Sequence, residues 1–311
     1  MQHRPYPKTP LRLPEDSTGG VWVATEKLHG AHLVVATEGA SVFFGKRKAW
    51  LEPHEPFFGW QLLRAQLETA IREIHRLLGA PVRLHGELIG GAYPHPDVEP
   101  VGGLTAIQTG CWYEPGLRFV GFDLIVDAPA PTFLAHSELV ELLCKSGVEC
   151  APLLARGSRQ QLESLPVEFP TTFPQKHGLP PIPGNFAEGY VLKPDVRLPV
   201  DARPSVKRKH PHFDDARFDQ SEAFAQVAQL DLEAWLKLAR HLVNPARIAS
   251  ARSKVGLTRE AIVEEVVLDV MVDLELFQPR AFGALGVDEG RVADEVRRRV
   301  SAHELQRPLF G

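Results

Sequence analysis

The sequence predicts an α+β protein: antiparallel sheets with flanking helices over residues 1–214, then a small all-α domain over residues 215–311. Three observations lead there. Strand-length apolar runs separated by glycine-bearing turns crowd residues 21–45 and recur downstream. Apolar residues at helical spacing mark 61–78 and 137–146 between those runs. After Asp214 the pattern changes to successive helical stretches, which sets a domain boundary near residue 215. A chain of 311 residues with 44% hydrophobic composition can bury a substantial core, and two domains of unequal size fit it.

The elements follow in order. Residues 1–20 are proline-rich and end in Thr18-Gly19-Gly20, the signature of an extended arm. Val21–Ala24, Ala31–Thr37 and Ser41–Gly45 read as short strands, the last two joined through Glu38-Gly39 as a hairpin. Leu62, Leu63, Leu67, Ile71, Ile74 and Leu78 recur at helical spacing, and Gly79 stops that helix. In a strand over Val82–Leu88, Leu84, Gly86 and Leu88 share one face while Arg83, His85 and Glu87 share the other. Leu117–Val126 is strongly apolar and suits a central strand. Ser137–Ser146 is a capped helix ended by Gly147. Residues 165–184 are proline-rich and aperiodic, a long surface loop of the kind that often carries function. Glu188–Lys193 and Ser205–Lys209 read as strands. Glu222–Leu242, Thr258–Phe277 and Asp288–Glu304 read as the helices of the second domain.

Composition narrows the function classes. A formal charge of -4 does not announce a nucleic-acid partner, so any such contact has to come from local basic clusters. Cys111, Cys144 and Cys150 match no zinc or Cys-x-x-Cys spacing and read as idle thiols in a reducing compartment. No run approaches the ~18 apolar residues needed to span a membrane, and the first residues lack a secretory pattern. A soluble, cytoplasmic monomer is the expectation.

Lys27 falls in the connection between the first two strands, where a rigid sheet can present a reactive side chain. By itself Lys-x-x-Gly is a pattern that chance supplies. Lys207 and Lys209 share one face of their strand and can enter one pocket, although alone they fit a solvated basic edge equally. Alone, Phe122 is a core phenylalanine and Glu87 an edge-strand carboxylate.

Six segments in order change that reading. Glu26-Lys27-Leu28-His29-Gly30 resembles motif I of the covalent nucleotidyltransferases, the superfamily of ATP-dependent ligases and mRNA capping enzymes. The histidine in Lys-x-His-Gly, where DNA ligases usually have aspartate, resembles the RNA ligase 2 family, which includes the RNA-editing ligases. Gly45-Lys46-Arg47, His85-Gly86-Glu87-Leu88, Phe119-Val120-Gly121-Phe122-Asp123, Glu188–Pro194 and Val206-Lys207-Arg208-Lys209 resemble the later motifs. The resemblance covers residues 21–213.

The resemblance implies a ligase adenylation domain (ATP-grasp-like) and an ATP-dependent RNA ligase that joins 3′-hydroxyl and 5′-phosphate ends, sealing nicks through a lysyl-AMP on Lys27. ATP and Mg2+ (or Mn2+) are the implied cofactors. RNA is the implied partner, as nicked duplex or RNA-templated ends, and the helical C-terminal domain would help engage it. An ordinary lysine titrates near ~10.4 yet must attack as a neutral amine, and nearby cations favour that form. Lys207 and Lys209 would supply such charge and hold the phosphates. Glu188 and Glu87 would serve the metal, and His29 is the family histidine of the catalytic set. The backbone at Glu26 and Leu28 would read the adenine edge, Phe122 would stack on the base with Asp123 beside it, and Arg47 would reach the ribose or a phosphate. His32 stands where the family has asparagine, which puts sealing in question more than adenylation.

Arg240, His241, Arg247, Arg252 and Lys254 cluster around a helix junction that either binds phosphates or forms solvated helix ends. The rivals are a nick- or end-binding module with impaired catalysis, a DNA ligase, and a GTP-dependent capping-type enzyme. No OB-like β domain follows Lys209, which argues against the last two.

Overall fold

The computed structural model describes residues 1–10, 19–213, 230–277 and 282–305. The expected boundary near residue 215 and the start of the helix expected over 222–242 lie outside these residues. The chain divides into two compact units: Met1–Glu52 with Ala70–Glu99 and Ala106–Ala223, and Pro53–Thr69 with Pro100–Thr105 and Phe224–Gly311.

In the first unit, β1 (Trp22–Glu26) is buried along its whole length. β2 (Ala31–Thr37), β3 (Val42–Lys46) and β4 (Ala49–Trp50) follow as antiparallel neighbours. The helix expected over 61–78 is a short 3-10 turn (Trp60–Leu63) leading into α1 (Arg64–Leu78); the turn and α1 as far as Thr69 belong to the second unit, and α1 from Ala70 to the first. Then come β5 (Val82–Gly90), β6 (Leu117–Val126), β7 (Thr132–Phe133) and α2 (His136–Ser146), the last closed by left-handed Gly147. β8 (Glu149–Cys150), β9 (Leu153–Gly157) and α3 (Arg159–Glu163) precede α4 (Phe173–Lys176), which lies inside the proline-rich stretch. β10 (Gly189–Pro194), β11 (Leu198–Pro199) and β12 (Val206–Lys209) complete the unit.

These strands build two sheets. One runs β12-β10-β1-β9 and is antiparallel throughout. The other runs β11-β7-β6-β5-β2-β3-β4, with β8 added parallel to β6. Trp22, Ala24, Tyr190, Leu192 and Val206 of the first sheet pack with Leu162 of α3. Leu28, Ile89, Tyr113, Val120, Ala151, Phe173 and Phe213 form a second buried cluster, and Phe122 packs against it.

Two local devices position the site. β10 starts at Gly189, whose φ of +136° a side chain rarely adopts, and a Cβ there would meet the Arg208 carbonyl oxygen at 1.9 Å. That close approach lets β12 pair with β10 from its first residue, directly after Glu188. In β6 the pairing with β5 shifts between His85 and Gly86: His85 faces Asp123 and Gly86 faces Gly121, leaving Phe122 as the extra residue of a bulge. A regular strand sends neighbours to opposite faces; a bulge re-aims them, and here Phe122 and Asp123 both line one cavity.

The second unit holds α5 (Leu232–Leu242), α6 (Pro245–Val255), α7 (Arg259–Phe277) and α8 (Glu289–Leu305). Asp231 and Asn244 cap α5 and α6 by accepting from Ala234 N–H and Arg247 N–H. Trp235, Leu238, Val266, Val270, Leu274, Val292, Val296 and Val300 are buried. α6 was not expected from the sequence. It occupies the junction where the basic residues cluster, and acidic side chains engage Arg240, Arg247 and Lys254 there. Arg247 is 1% exposed and donates to buried Asp273 at 2.9 Å and to the Leu62 carbonyl at 2.9 Å. Arg240 pairs with Glu295, and Lys254 with Glu265 and Asp269. Burial lifts the Asp273 carboxyl to about 6 in spite of Arg247 beside it. The three cysteines are free thiols. Among the described residues no helix is long and apolar enough to cross a membrane.

Candidate active site

Lys27 follows the last residue of β1, and its backbone N–H donates to the Gly189 carbonyl at 2.9 Å. This tie places the lysine beside the residue that precedes β10. Lys27 Nζ donates to Glu188 Oε2 at 2.6 Å. Lys209 Nζ lies 2.9 Å from Glu188 Oε1, and His29 Nδ1 lies 3.4 Å from Oε2. Glu188 is 3% exposed. Burial alone would raise its pKa, but Lys27, His29 and Lys209 around it hold the carboxyl well below the usual range. The His29 backbone N–H donates to the Tyr113 hydroxyl at 2.7 Å, and its ring meets Phe213 edge-on. Of the four residues expected to act with Lys27, Glu188 is thus the carboxylate on which Lys27, His29 and Lys209 gather.

The fourth, Lys207, opens on the adjoining cavity of about 640 Å³. Glu26, Lys27, Leu28, His32, Arg47, Glu87, Phe122 and Asp123 line the same cavity, so every expected nucleotide-contacting residue reaches it. Arg47 stands exposed in the tight turn between β3 and β4. A volume of that order suits a nucleotide-sized ligand.

The structure gives several of these residues engagements of their own. Glu26 is 2% exposed and accepts from the Thr171 hydroxyl at 2.5 Å and from Thr172 through both its hydroxyl and backbone N–H. Its carboxyl pKa is raised by burial, with the threonine bonds opposing. Glu87 accepts from Gly30 N–H at 3.2 Å, and burial pushes its carboxyl up to about 7. Asp123 is 3% exposed. Its oxygens accept from Arg203 at 2.6 Å, from Lys193 at 2.9 Å and from the Tyr6 hydroxyl. Burial would raise the Asp123 carboxyl, yet Arg203 and Lys193 hold it far below the ordinary range. Its carboxylate therefore ties the cavity floor together. His32 bonds to His85 at 3.1 Å, and burial with Arg47 nearby lowers it to about 4.

Glu188 and Glu87, the two carboxylates expected to serve a cation, lie close enough for Glu188 to act electrostatically on Glu87. Among the described residues no three His, Cys, Asp or Glu side chains converge into an all-protein metal site. That donor set fits Mg2+ or Mn2+ shared with phosphate oxygens, because Mg2+ commonly takes one or two carboxylates and completes its shell from substrate and water.

Sequence reasoning missed Lys193, Arg203, Tyr6, Thr171 and Thr172. Lys193 was within reach, because it lies within the Glu188–Pro194 motif and a lysine in an otherwise buried strand needs an anion. Thr171 and Thr172 lie in the proline-rich stretch flagged as functional. Nothing in the sequence singles out Tyr6, which the arm carries into the cavity wall, where its ring meets His32, His85, Phe122 and Phe133.

Comparison with known proteins bears on this geometry. The family model described as RNA ligase matches residues 20–209. The chain is 34% identical over 200 residues to RNA-editing ligase 2, mitochondrial, of Trypanosoma brucei brucei, covering 55% of this chain and 48% of that protein. It is 31% identical over 208 residues to RNA-editing ligase 1, mitochondrial, of the same organism, covering 55% and 44%. The chain thus spans about half the length of the relatives it matches. Among solved structures, a Naegleria gruberi RNA ligase variant with AMP and Mn is similar at 20% identity, with a TM-score of 0.45, over 64% of this chain and 52% of that one.

Proposed function

The chain belongs to the RNA ligase family, and from that premise we propose that it is an ATP-dependent RNA ligase working through a lysyl-AMP intermediate on Lys27. The observation that carries the proposal is Lys27 Nζ held at 2.6 Å from Glu188, with Lys209 on the same carboxylate, beside a cavity lined by Phe122, Arg47 and Lys207.

In the first step the Lys27 amine attacks the α-phosphorus of ATP. The Nζ–P bond forms, the bond to the β-phosphate oxygen breaks, and pyrophosphate leaves. An ammonium has no lone pair, so the Lys27–Glu188 ion pair has to open and the amine has to lose a proton before attack. Lys207 and Lys209 attract the leaving pyrophosphate. Phe122 offers an aromatic face to the base, and Arg47 a forked donor to ribose or phosphate oxygens. Glu188 and Glu87 are the residues that would hold Mg2+ or Mn2+, which when bound neutralises charge developing on the phosphates. In the second step a 5′-phosphate oxygen of RNA attacks the lysyl-AMP phosphorus, the P–N bond breaks and Lys27 regains its proton. In the third, a 3′-hydroxyl attacks the activated 5′-phosphorus, a phosphodiester forms and AMP leaves.

The RNA substrate proposed is a nicked duplex or RNA-templated pair of ends, and the protein is proposed to act as a monomer. The helices beyond residue 230 are proposed as an RNA-engaging domain. Arg240, Arg247 and Lys254 are held in ion pairs there, so that contact would fall to other side chains.

The test is strand joining on a nicked duplex with a labelled 5′-phosphate, comparing RNA and DNA on each side of the nick and ATP with GTP. Joining with ATP and an RNA 3′-hydroxyl strand supports the proposal. Joining confined to DNA, or guanylate transfer without joining, would replace it with a rival enzyme of the same chemistry. Nick binding without joining or label transfer would leave a binding module.

A further inference from the structure

We propose that His85 is a positioning residue: it donates from Nδ1 to Nε2 of His32 and so fixes the tautomer in which His32 presents an Nδ1–H donor to the nucleotide's oxygens. The inference rests on the nucleotide-binding reading of the cavity and adds a requirement specific to this chain.

The two rings are brought together by register. His32 of β2 lies opposite Glu87 of β5, and His85 lies two residues away on the same face of β5. His32 Nε2 and His85 Nδ1 are 3.1 Å apart, so one nitrogen donates and the other accepts. The remaining nitrogens differ. His85 Nε2 is buried without a partner. His32 has no such buried bare nitrogen, and its side chain lines the cavity, so its Nδ1 opens there.

Two proton arrangements satisfy the contact. If His32 donates, His85 must keep its own proton on Nε2 as a buried unpaired N–H, and His32 shows the cavity a lone pair. If His85 donates, its buried Nε2 is a bare acceptor, and His32 shows the cavity an N–H. An orphaned buried donor is rarer than an under-satisfied acceptor, which favours the second arrangement. The ligand favours it too, because ionised phosphate oxygens only accept. Burial, with Arg47 and Lys27 acting on it electrostatically, opposes a second proton on His32, so its neutral ring carries one proton on one nitrogen. The outcome is an N–H donor at a position where asparagine would offer one without help.

Two measurements test this. In protein labelled with 15N-histidine, the His32 signals are assigned by their loss in His32→Asn, and two-bond couplings report which nitrogen carries the proton. With AMP bound, the proposal expects His32 protonated on Nδ1; protonation on Nε2 would overturn it. Absence of any AMP-induced change in the cavity would instead count against the nucleotide reading itself. The second measurement is the rate of Lys27 adenylylation in a cycle of His85→Phe and His32→Asn. His85→Phe is expected to slow the reaction about tenfold with histidine at position 32, on the order of one hydrogen bond. It should change the rate less than about twofold with asparagine there, because an amide N–H needs no tautomer selection. Equal slowing in both backgrounds would mean that His85 acts only through packing. The spectroscopic arm needs no His85 variant, so a folding failure of His85→Phe leaves the tautomer test standing.

Discussion

Asp123→Asn is expected to be costly in stability more than in ligand affinity. The Asp123 carboxylate is the anion that Lys193 and Arg203 share, and their side chains are 4% and 3% exposed. Asparagine keeps the shape and removes the charge, leaving two buried cations facing one another. Breaking a buried pair by removing one partner typically costs about 3–5 kcal/mol. With two cations on one carboxylate the upper part of that range applies, against a total stability on the order of 5–15 kcal/mol. At roughly 2–4 °C per kcal/mol for a chain of this size class, the melting temperature should fall on the order of 10 °C. Far-ultraviolet circular dichroism during heating, with urea unfolding as a check, reads the change directly. The sign with pH follows from the depressed carboxyl. Its contribution is present above the ordinary aspartate value near ~3.9 and is lost as the pH falls below it. A variant melting within about 2 °C of wild type, with only nucleotide binding weakened, would refute the reasoning and make Asp123 a ligand contact.

Gly189→Ala should lose at least about 3 kcal/mol or fail to accumulate as folded protein, because its Cβ would collide with the Arg208 carbonyl that β10 packs against; expression yield and melting temperature check this. Thr171→Val removes a donor at 2.5 Å from buried Glu26, and a loss of about 1–3 kcal/mol in urea unfolding is expected. His136 is 5% exposed, and burial lowers it to about 4. Its contribution is present above the ordinary histidine value of ~6.5 and disappears as pH falls from there toward about 4, amounting to about 1 kcal/mol lost by pH 5.5. His136→Phe should therefore flatten the acid side of the stability profile, and an unchanged profile would show that another group sets it.

Much of the fold was legible because alternation and length report burial directly. β2, β6 and α2 fall where apolar spacing and glycine stops place them. β9 was not legible, because Leu153 at its start is half exposed and the strand lacks alternation. α6 was hidden by Pro245, which reads as a breaker but occupies the first turn, where its missing N–H is harmless. The engagement of the basic junction was hidden for a related reason: sequence does not reveal that Arg247 meets Asp273 in the interior. In the site, Lys27 and its partners were readable as motifs. The bulge that turns Phe122 and Asp123 into one cavity was not, since it depends on the register of β5 against β6. Tyr6 was invisible because its partners lie far along the chain, at Asp123 and Arg203.

The central claim is that Lys27 carries the nucleotide. Incubation with ATP and Mg2+, followed by proteolysis at mild pH and mass mapping of the peptides, tests it most directly. AMP on Lys27 of the wild-type protein and no adduct on Lys27→Ala are expected. AMP mapped to another residue, or retained by Lys27→Ala at the wild-type level, would contradict it.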